Sequence, residues 1–198
     1  MGIKKKPMVA VVGRPNVGKS TLFNALAGER ISIVKDTPGV TRDRIYADVT
    51  WLNYQFTLVD TGGIEPESED ILLTRMREQA EIAIETSDVI LFLTDVRDGL
   101  TASDIACADL LRRAKKPVIL CVNKVDTGEK MYDAYDFYSL GLGEVWTISA
   151  ANGSGTGDLL DAVVAALPEE TEQEDPHAGL PRITIVGKPN VGKSSLTN

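Results

Sequence analysis

The run Gly13-Arg14-Pro15-Asn16-Val17-Gly18-Lys19-Ser20 fits the pattern G-x-x-x-x-G-K-S/T. Glycines at these positions let backbone N–H groups converge on phosphate oxygens, and a helix opening at Lys19 adds the positive end of its dipole. Lys19 is then placed to reach β- and γ-phosphates, and the Ser20 hydroxyl to ligate Mg²⁺. Val17 and Thr21 complete the lining. A glycine-rich turn that binds nothing would also fit the composition. The apolar run MVAVV before the loop and the helical pattern after it favour the phosphate cradle.

A second group reads a base. Asn123-Lys124-Val125-Asp126 follows directly on an apolar run. A carboxylate at Asp126 can accept both the N1–H and the 2-amino hydrogens of guanine. Adenine has a lone pair at N1 and no 2-amino group, so it would leave Asp126 unpaired, which disfavours an ATPase. Two charge-assisted hydrogen bonds at about 1.5–3 kcal/mol each correspond to a discrimination of roughly several hundredfold or more. Asn123 would tie the pocket together, and the Lys124 stem can lie against the base. Ser149-Ala150, after the next apolar run, adds a backbone N–H for the guanine O6.

A third group senses the terminal phosphate. In Asp60-Thr61-Gly62-Gly63, Asp60 is the expected outer partner of the Mg²⁺, and the Gly63 N–H is free to contact a γ-phosphate. Upstream, KDTPGVTRDR (35–44) is a loop with two threonines. Thr41 is the better candidate for the Mg²⁺ and γ-phosphate contact, with Thr37 the alternative. Loops of this kind are held by γ-phosphate contacts and released on hydrolysis. Arg42 and Arg44 suit either surface ion pairs or contacts to a partner.

These groups must be positioned by alternating strands and helices. MVAVV (8–12) reads as a strand and 19–26 as a helix. Residues 44–52 and 55–60 form a hairpin turning at Asn53-Tyr54. A polar helix covers about 69–86, a buried strand 88–95, and Thr101 with Asp104 forms a capping box for a helix ending at Arg113. Buried strands at 117–124 and 145–150 are each followed by a helix, the last over 157–167. The expected fold is α/β: a mostly parallel sheet with helices on both faces and one antiparallel hairpin strand. Ligands bind at the carboxyl ends of the strands in such sheets, where all three groups fall.

Composition narrows the remainder. Hydrophobic content of 43% and charged content of 25% are ordinary for a soluble globular protein. The longest apolar run, Val89 to Leu93, is too short to span a bilayer. The lysines near Met1 lead into too short an apolar stretch for a signal peptide, and Lys6 stands where myristoylation wants Ser or Thr. The expected location is the cytoplasm. Cys107 and Cys121 sit in apolar patterns as small buried hydrophobes of a reducing compartment. His177, the single histidine, lies in a linker-like stretch and offers no basis for catalysis or metal binding. A net charge of −8, from 21 basic and 29 acidic side chains, argues against this segment alone being a strong RNA binder. Nothing suggests other than a monomer.

After Leu167 the chain becomes acidic and proline-bracketed, PEETEQEDPHAGLP, and reads as a linker. Residues 184–198 then repeat the pattern of residues 10–24, including a second Pro-Asn-Val-Gly-Lys-Ser. The organisation is an extension over 1–7, a first domain over 8–167, a linker over 168–181, and the start of a second copy over 182–198. A strand and a helix stub are not independently stable, so Lys193 and Ser194 are expected to bind no nucleotide tightly.

The phosphate loop, Thr41, DTGG, NKVD and SA stand in the order of the five GTPase motifs, so the chain resembles a translation-factor-related P-loop GTPase. The restarted loop, the acidic linker and the strings TPGVTRDR, DTGGIEP, DVRDGLT and FYSLGLGE make it similar to the Der (EngA) family of ribosome-assembly GTPases. The resemblance covers nearly everything from Met8 to Asn198. It implies GTP/GDP and Mg²⁺ as ligands, and the large ribosomal subunit or its precursor as the partner of the full-length protein. It also implies a complete second GTPase domain and an RNA-binding, KH-like domain that are missing here. Where Ras-like GTPases place a water-orienting glutamine after DxxG, Ile64 stands instead, and isoleucine makes no hydrogen bond. The resemblance suggests that Asn16 helps bind a potassium ion in the place of an arginine finger, giving slow, potassium-stimulated hydrolysis. Asn16 is otherwise a residue that shapes the turn. Lys19, Thr41, Gly63 and Asn16 are the expected catalytic set. Other readings are a nucleotide-sensing binding module with negligible hydrolysis, and a G domain of a tRNA-modification or iron-transport protein. The repeated motif argues against the last two.

Overall fold

The computed structural model describes residues 6–27, 45–61 and 69–168, with the backbone alone for 69–72. Thr37, Thr41, Arg42, Arg44, Gly62, Gly63, Ile64, His177, Lys193 and Ser194 lie outside the described residues, as do the linker beyond Pro168 and the repeated loop.

Chain order is β1 (Met8–Val12), α1 (Lys19–Ala27), β2 (Ile45–Trp51), β3 (Tyr54–Asp60), α2 (Glu69–Thr86), β4 (Val89–Asp95), α3 (Ala102–Arg112), β5 (Val118–Asn123) and α4 (Gly128–Asp133). A 3-10 helix (Ala134–Leu140), β6 (Val145–Thr147) and α5 (Thr156–Ala166) follow. Six strands form one sheet in the order β2-β3-β1-β4-β5-β6. Every neighbouring pair is parallel except β2 with β3, which are antiparallel. The expected fold class holds.

Strand alternation builds a core on each face of the sheet. Val9, Val11, Leu91, Leu93 and Cys121 share one cluster with Leu22, Phe23 and Leu26 of α1 and Leu159 and Val163 of α5. Ala10, Val12, Ile90, Phe92, Leu120 and Val122 share the other with Met76, Ala80 and Ala83 of α2, Cys107 and Leu111 of α3, and Phe137 and Leu140 of the 3-10 helix. β4 is buried along its whole length, as the middle of a sheet covered on both sides must be. The Met76, Ala80, Ala83 spacing is the apolar stripe by which the otherwise polar α2 is held.

The N-terminus of α3 is closed by the expected capping box: Thr101 Oγ1 accepts from the Asp104 N–H, and the Asp104 carboxylate accepts from the Thr101 N–H. Among the described residues no helix is long and apolar enough to cross a membrane.

Two expectations change in detail. The hairpin turns at Leu52-Asn53, because Trp51 and Tyr54 pair across the ladder. Aromatic side chains favour the pleated surface, so Tyr54 extends the strand and Leu52 takes the left-handed conformation at φ 51°. The strand expected over 145–150 ends at Thr147 as a half-buried edge. Ile148, Ser149 and Ala150 are buried; the Ile148 N–H still bonds the Val122 carbonyl of β5, and Ser149 and Ala150 then turn across the end of that strand.

Candidate nucleotide-binding site

The phosphate loop joins the central strand β1 to α1, at the carboxyl end of the sheet. Two of its glycines are required by space. A Cβ on Gly13 would lie 2.3 Å from the Leu93 carbonyl oxygen. One on Gly18 would lie 2.4 Å from Asn123 Nδ2, at a residue whose φ is already 96°.

Nearly every loop carbonyl is claimed by a protein donor. The Gly13 and Arg14 carbonyls accept from Lys19 Nζ at 2.8 and 2.7 Å. The Asn16 carbonyl accepts from Lys124 Nζ at 2.8 Å, and that of Val17 from Asn123 Nδ2 at 2.8 Å. The Gly18 carbonyl accepts from the Leu22 N–H at 2.9 Å. C=O and the following N–H point opposite ways across a planar peptide. The bonds to the Asn16 and Val17 carbonyls therefore turn the amides of Val17 and Gly18 to the opposite side, where they meet no acceptor among the described residues. The result is a concave anion site. Lys19 is buried within it; burial lowers its pKa, Asp60 opposes that shift, and Arg14 adds to it.

Asn123 joins three of the expected segments. Its Nδ2 holds the Val17 carbonyl while its Oδ1 accepts the Ala150 N–H at 2.9 Å. The Val125 N–H donates to the Ile148 carbonyl at 3.0 Å, which fastens the same two segments again. Lys124, with φ 66°, reaches back over the loop to the Asn16 carbonyl and pairs with Asp95, which is buried at the end of β4. Asp126 is partly exposed. Lys130, and then Arg97, hold its carboxyl down at about 2.

Asp60 is 4% exposed at the end of β3, in register with Val11 of β1. Thr61 continues onto β1, its hydroxyl donating to the Val11 carbonyl at 2.6 Å. Ser20 is exposed in the first turn of α1. Among the described residues there is no group of three His, Cys, Asp or Glu side chains able to hold a metal ion. One hydroxyl and one carboxylate make a donor set suited to Mg²⁺ carried in on phosphate oxygens, so the residues fit that ion. The Asn16 side chain is exposed and has no hydrogen bond among the described residues, at a backbone φ of 63°.

Five contacts were not expected from the residue pattern. Arg14 Nε bonds Asp104 Oδ1 at 3.0 Å, and its NH1 lies 3.3 Å from Asp98 Oδ2. Asp95 anchors Lys124, and Arg97 and Lys130 pair with Asp126. Arg14 occupies an unconstrained position of the loop motif, so the motif itself gave no hint. Asp104 was visible only as a capping residue.

A family model described as 50S ribosome-binding GTPase matches residues 8–124. A protein of Agathobacter rectalis named GTPase Der is 67% identical over 194 residues, covering 98% of this chain and 44% of that protein. The chain thus spans less than half the length of such relatives. Among solved structures, a point variant of Aquifex aeolicus Era bound to GDP and aluminium fluoride matches with a TM-score of 0.65 and 34% identity, over 84% of this chain and 58% of that one. Era in complex with MgGDPNP and a segment of 16S ribosomal RNA matches with a TM-score of 0.63 and 30% identity, over 89% and 62% of the two chains.

Proposed function

Since the chain belongs to the 50S ribosome-binding GTPase family, we propose that it binds GTP, hydrolyses it to GDP and phosphate, and acts as a switch in large ribosomal subunit assembly. The observation that carries the guanine-nucleotide reading is the pair of hydrogen bonds made by the Asn123 side chain, which ties phosphate loop, base-reading turn and Ala150 together. The description of the matching family model, 50S ribosome-binding GTPase, supports the ribosomal partner.

In this reading the loop amides and Lys19 bind the β- and γ-phosphates, and Asp126 and the Ala150 N–H read the base. Water attacks the γ-phosphorus, and the bond to the oxygen bridging to the β-phosphate breaks, leaving GDP and inorganic phosphate. Charge builds on the β-phosphate side, which Lys19 and the loop amides stabilise. Mg²⁺, held by Ser20 and Thr41 with Asp60 behind, would offset phosphate charge when bound. Thr41 and Gly63 would contact the γ-phosphate and release it after hydrolysis.

Ile64 offers the attacking water no hydrogen bond, so catalysis comes from another group or is slow. The unpaired Asn16 side chain supports a potassium ligand at the loop, which would supply charge at the leaving oxygen. Residues 8–167 form the first nucleotide domain of a longer, monomeric, cytoplasmic protein with a second G domain and a KH-like domain. Residues 168–181 link it to the start of the second domain at 182–198, which binds no nucleotide by itself.

The test is steady-state GTP hydrolysis in potassium and in sodium at equal ionic strength, with Asn16→Ala alongside. A potassium acceleration of about tenfold, lost in the variant, corresponds to ~1.4 kcal/mol of barrier. Equal, slow rates in both salts would sink the potassium assignment and favour a domain that binds and reports GTP. Competition by ATP as strong as by GTP would sink the guanine reading, and two guanine nucleotides per chain the domain assignment.

A further inference from the structure

The carboxylate expected to read guanine is gripped on both of its oxygens. Asp126 Oδ2 accepts from Arg97 NH2 at 2.8 Å, and Oδ1 accepts from Lys130 Nζ. The two cations come from different elements: Arg97 from the turn that follows β4, Lys130 from α4.

The Arg97 side is anchored in turn. The Arg97 N–H donates to Asp95 Oδ1 at 2.9 Å, and Asp95 Oδ2 pairs with Lys124. One buried carboxylate therefore fixes both the Lys124 ammonium over the phosphate loop and the backbone from which Arg97 reaches out. Lys130 sits four residues beyond Asp126, the spacing that brings side chains together on a helical turn.

An ionised carboxylate has about four acceptor sites, two on each oxygen. One cation on each oxygen fills two of them. The remaining pair, one per oxygen, matches the N1–H and 2-amino hydrogen that guanine presents side by side. Free to rotate, the carboxylate would meet the base in many orientations; held at both ends, it has far fewer to lose on binding. The side chains of Arg97, Asp126 and Lys130 are 54%, 33% and 27% exposed, and ion pairs so open to water add little to folding. Folding stability gives little reason for two cations to converge on this one group.

We propose that Arg97 and Lys130 are positioning residues for guanine recognition, orienting the Asp126 carboxylate from outside so that its remaining lone pairs face the base. This deepens the proposed function and rests on its reading of Asp126 as the guanine acceptor.

The test uses the full chain with Arg97→Gln, Lys130→Gln, the double variant and Arg97→Lys. Affinities for GDP, for inosine diphosphate (which lacks the 2-amino group) and for ADP are read by displacement of a fluorescent GDP analogue, with the thermal midpoint as a check on folding. The double variant should bind GDP about tenfold more weakly, lose most of its preference for GDP over inosine diphosphate, and bind ADP as before. Arg97→Lys should keep most of the preference. Unchanged GDP affinity and preference in the double variant would overturn the proposal. Tighter GDP binding would overturn it too, showing that the cations compete with the base. A wild-type protein that does not prefer GDP to ADP would instead overturn the reading of Asp126 itself.

Discussion

Arg14 Nε lies 3.0 Å from Asp104 Oδ1, so the residue that caps α3 also holds the phosphate loop. Asp104 is fully buried and Arg14 nearly so, at 0% and 12% side-chain exposure, and removing Asp104 leaves the Arg14 charge only the longer, exposed contact to Asp98 at 3.3 Å. Asp104→Ala should cost more than the ~1 kcal/mol of a lost cap in urea unfolding, up to about 3 kcal/mol, since Arg14 keeps Asp98. A cycle with Arg14→Ala should show coupling above ~1 kcal/mol. Additive effects would mean that the two act independently.

Gly18 packs under Asn123. Gly18→Ala forces a Cβ to within 2.4 Å of Nδ2 at φ 96°, so either the loop or the carboxamide must move. Stability should fall by about 1–3 kcal/mol, and GDP affinity by a larger factor than ADP affinity, because Asn123 also holds the Ala150 N–H. Equal losses for the two nucleotides would show that the Asn123 tie has no bearing on the base.

Lys19 carries an electrostatic cost of its own. Its pKa is lowered from 10.5, chiefly by burial, so the unfolded chain keeps the proton to higher pH than the folded one. Its contribution to stability therefore rises as pH climbs from the folded pKa towards 10.5, and at neutral pH the buried charge is unfavourable. Lys19→Met should leave the unfolding free energy at pH 7 within about 1 kcal/mol, since two lost bonds to loop carbonyls offset the relief. It should also abolish the ~2.7 kcal/mol that GDP at a hundred times its Kd adds to the wild type. Retained stabilisation by GDP would remove Lys19 from the phosphate site.

Neither cysteine should react in the folded protein. Burial, with help from Asp104, pushes the Cys107 thiol up to about 12, and burial raises Cys121 further. Both are 4% exposed or less, so a thiol-specific disulfide reagent at pH 7.5 should titrate no group before unfolding and both after it. Rapid reaction of one thiol would reveal local opening of α3 or β5.

The parts legible in the sequence are those with a period or a fixed spacing. Short unbroken apolar runs at 8–12 and 89–95 announced strands buried on both sides, and Thr101 with Asp104 announced a cap that forms as expected. The role of Asn123 was readable because its motif stands directly after a buried strand at the carboxyl edge of the sheet. The Arg14–Asp104 and Arg97–Asp126 pairs join residues 90 and 29 positions apart, and no local pattern marks such a pairing. The end of β6 is hidden in the sequence for a related reason. Ile148 and Ala150 are as apolar and buried as strand residues, but the Ser149 N–H bonds Ser154 and the Ala150 N–H bonds the Asn123 side chain in place of a strand partner.

The loop carbonyls are oriented by Lys124 and Asn123, residues assigned to the base, as well as by Lys19. Weakening either base-side residue frees a peptide to rotate and turns its amide away from an anion. The free energies of base and phosphate recognition are thus not separable terms. Guanosine and pyrophosphate measured apart should fail to predict the affinity of the whole nucleotide from their sum, and substitutions at Lys124 should weaken pyrophosphate as well as guanosine.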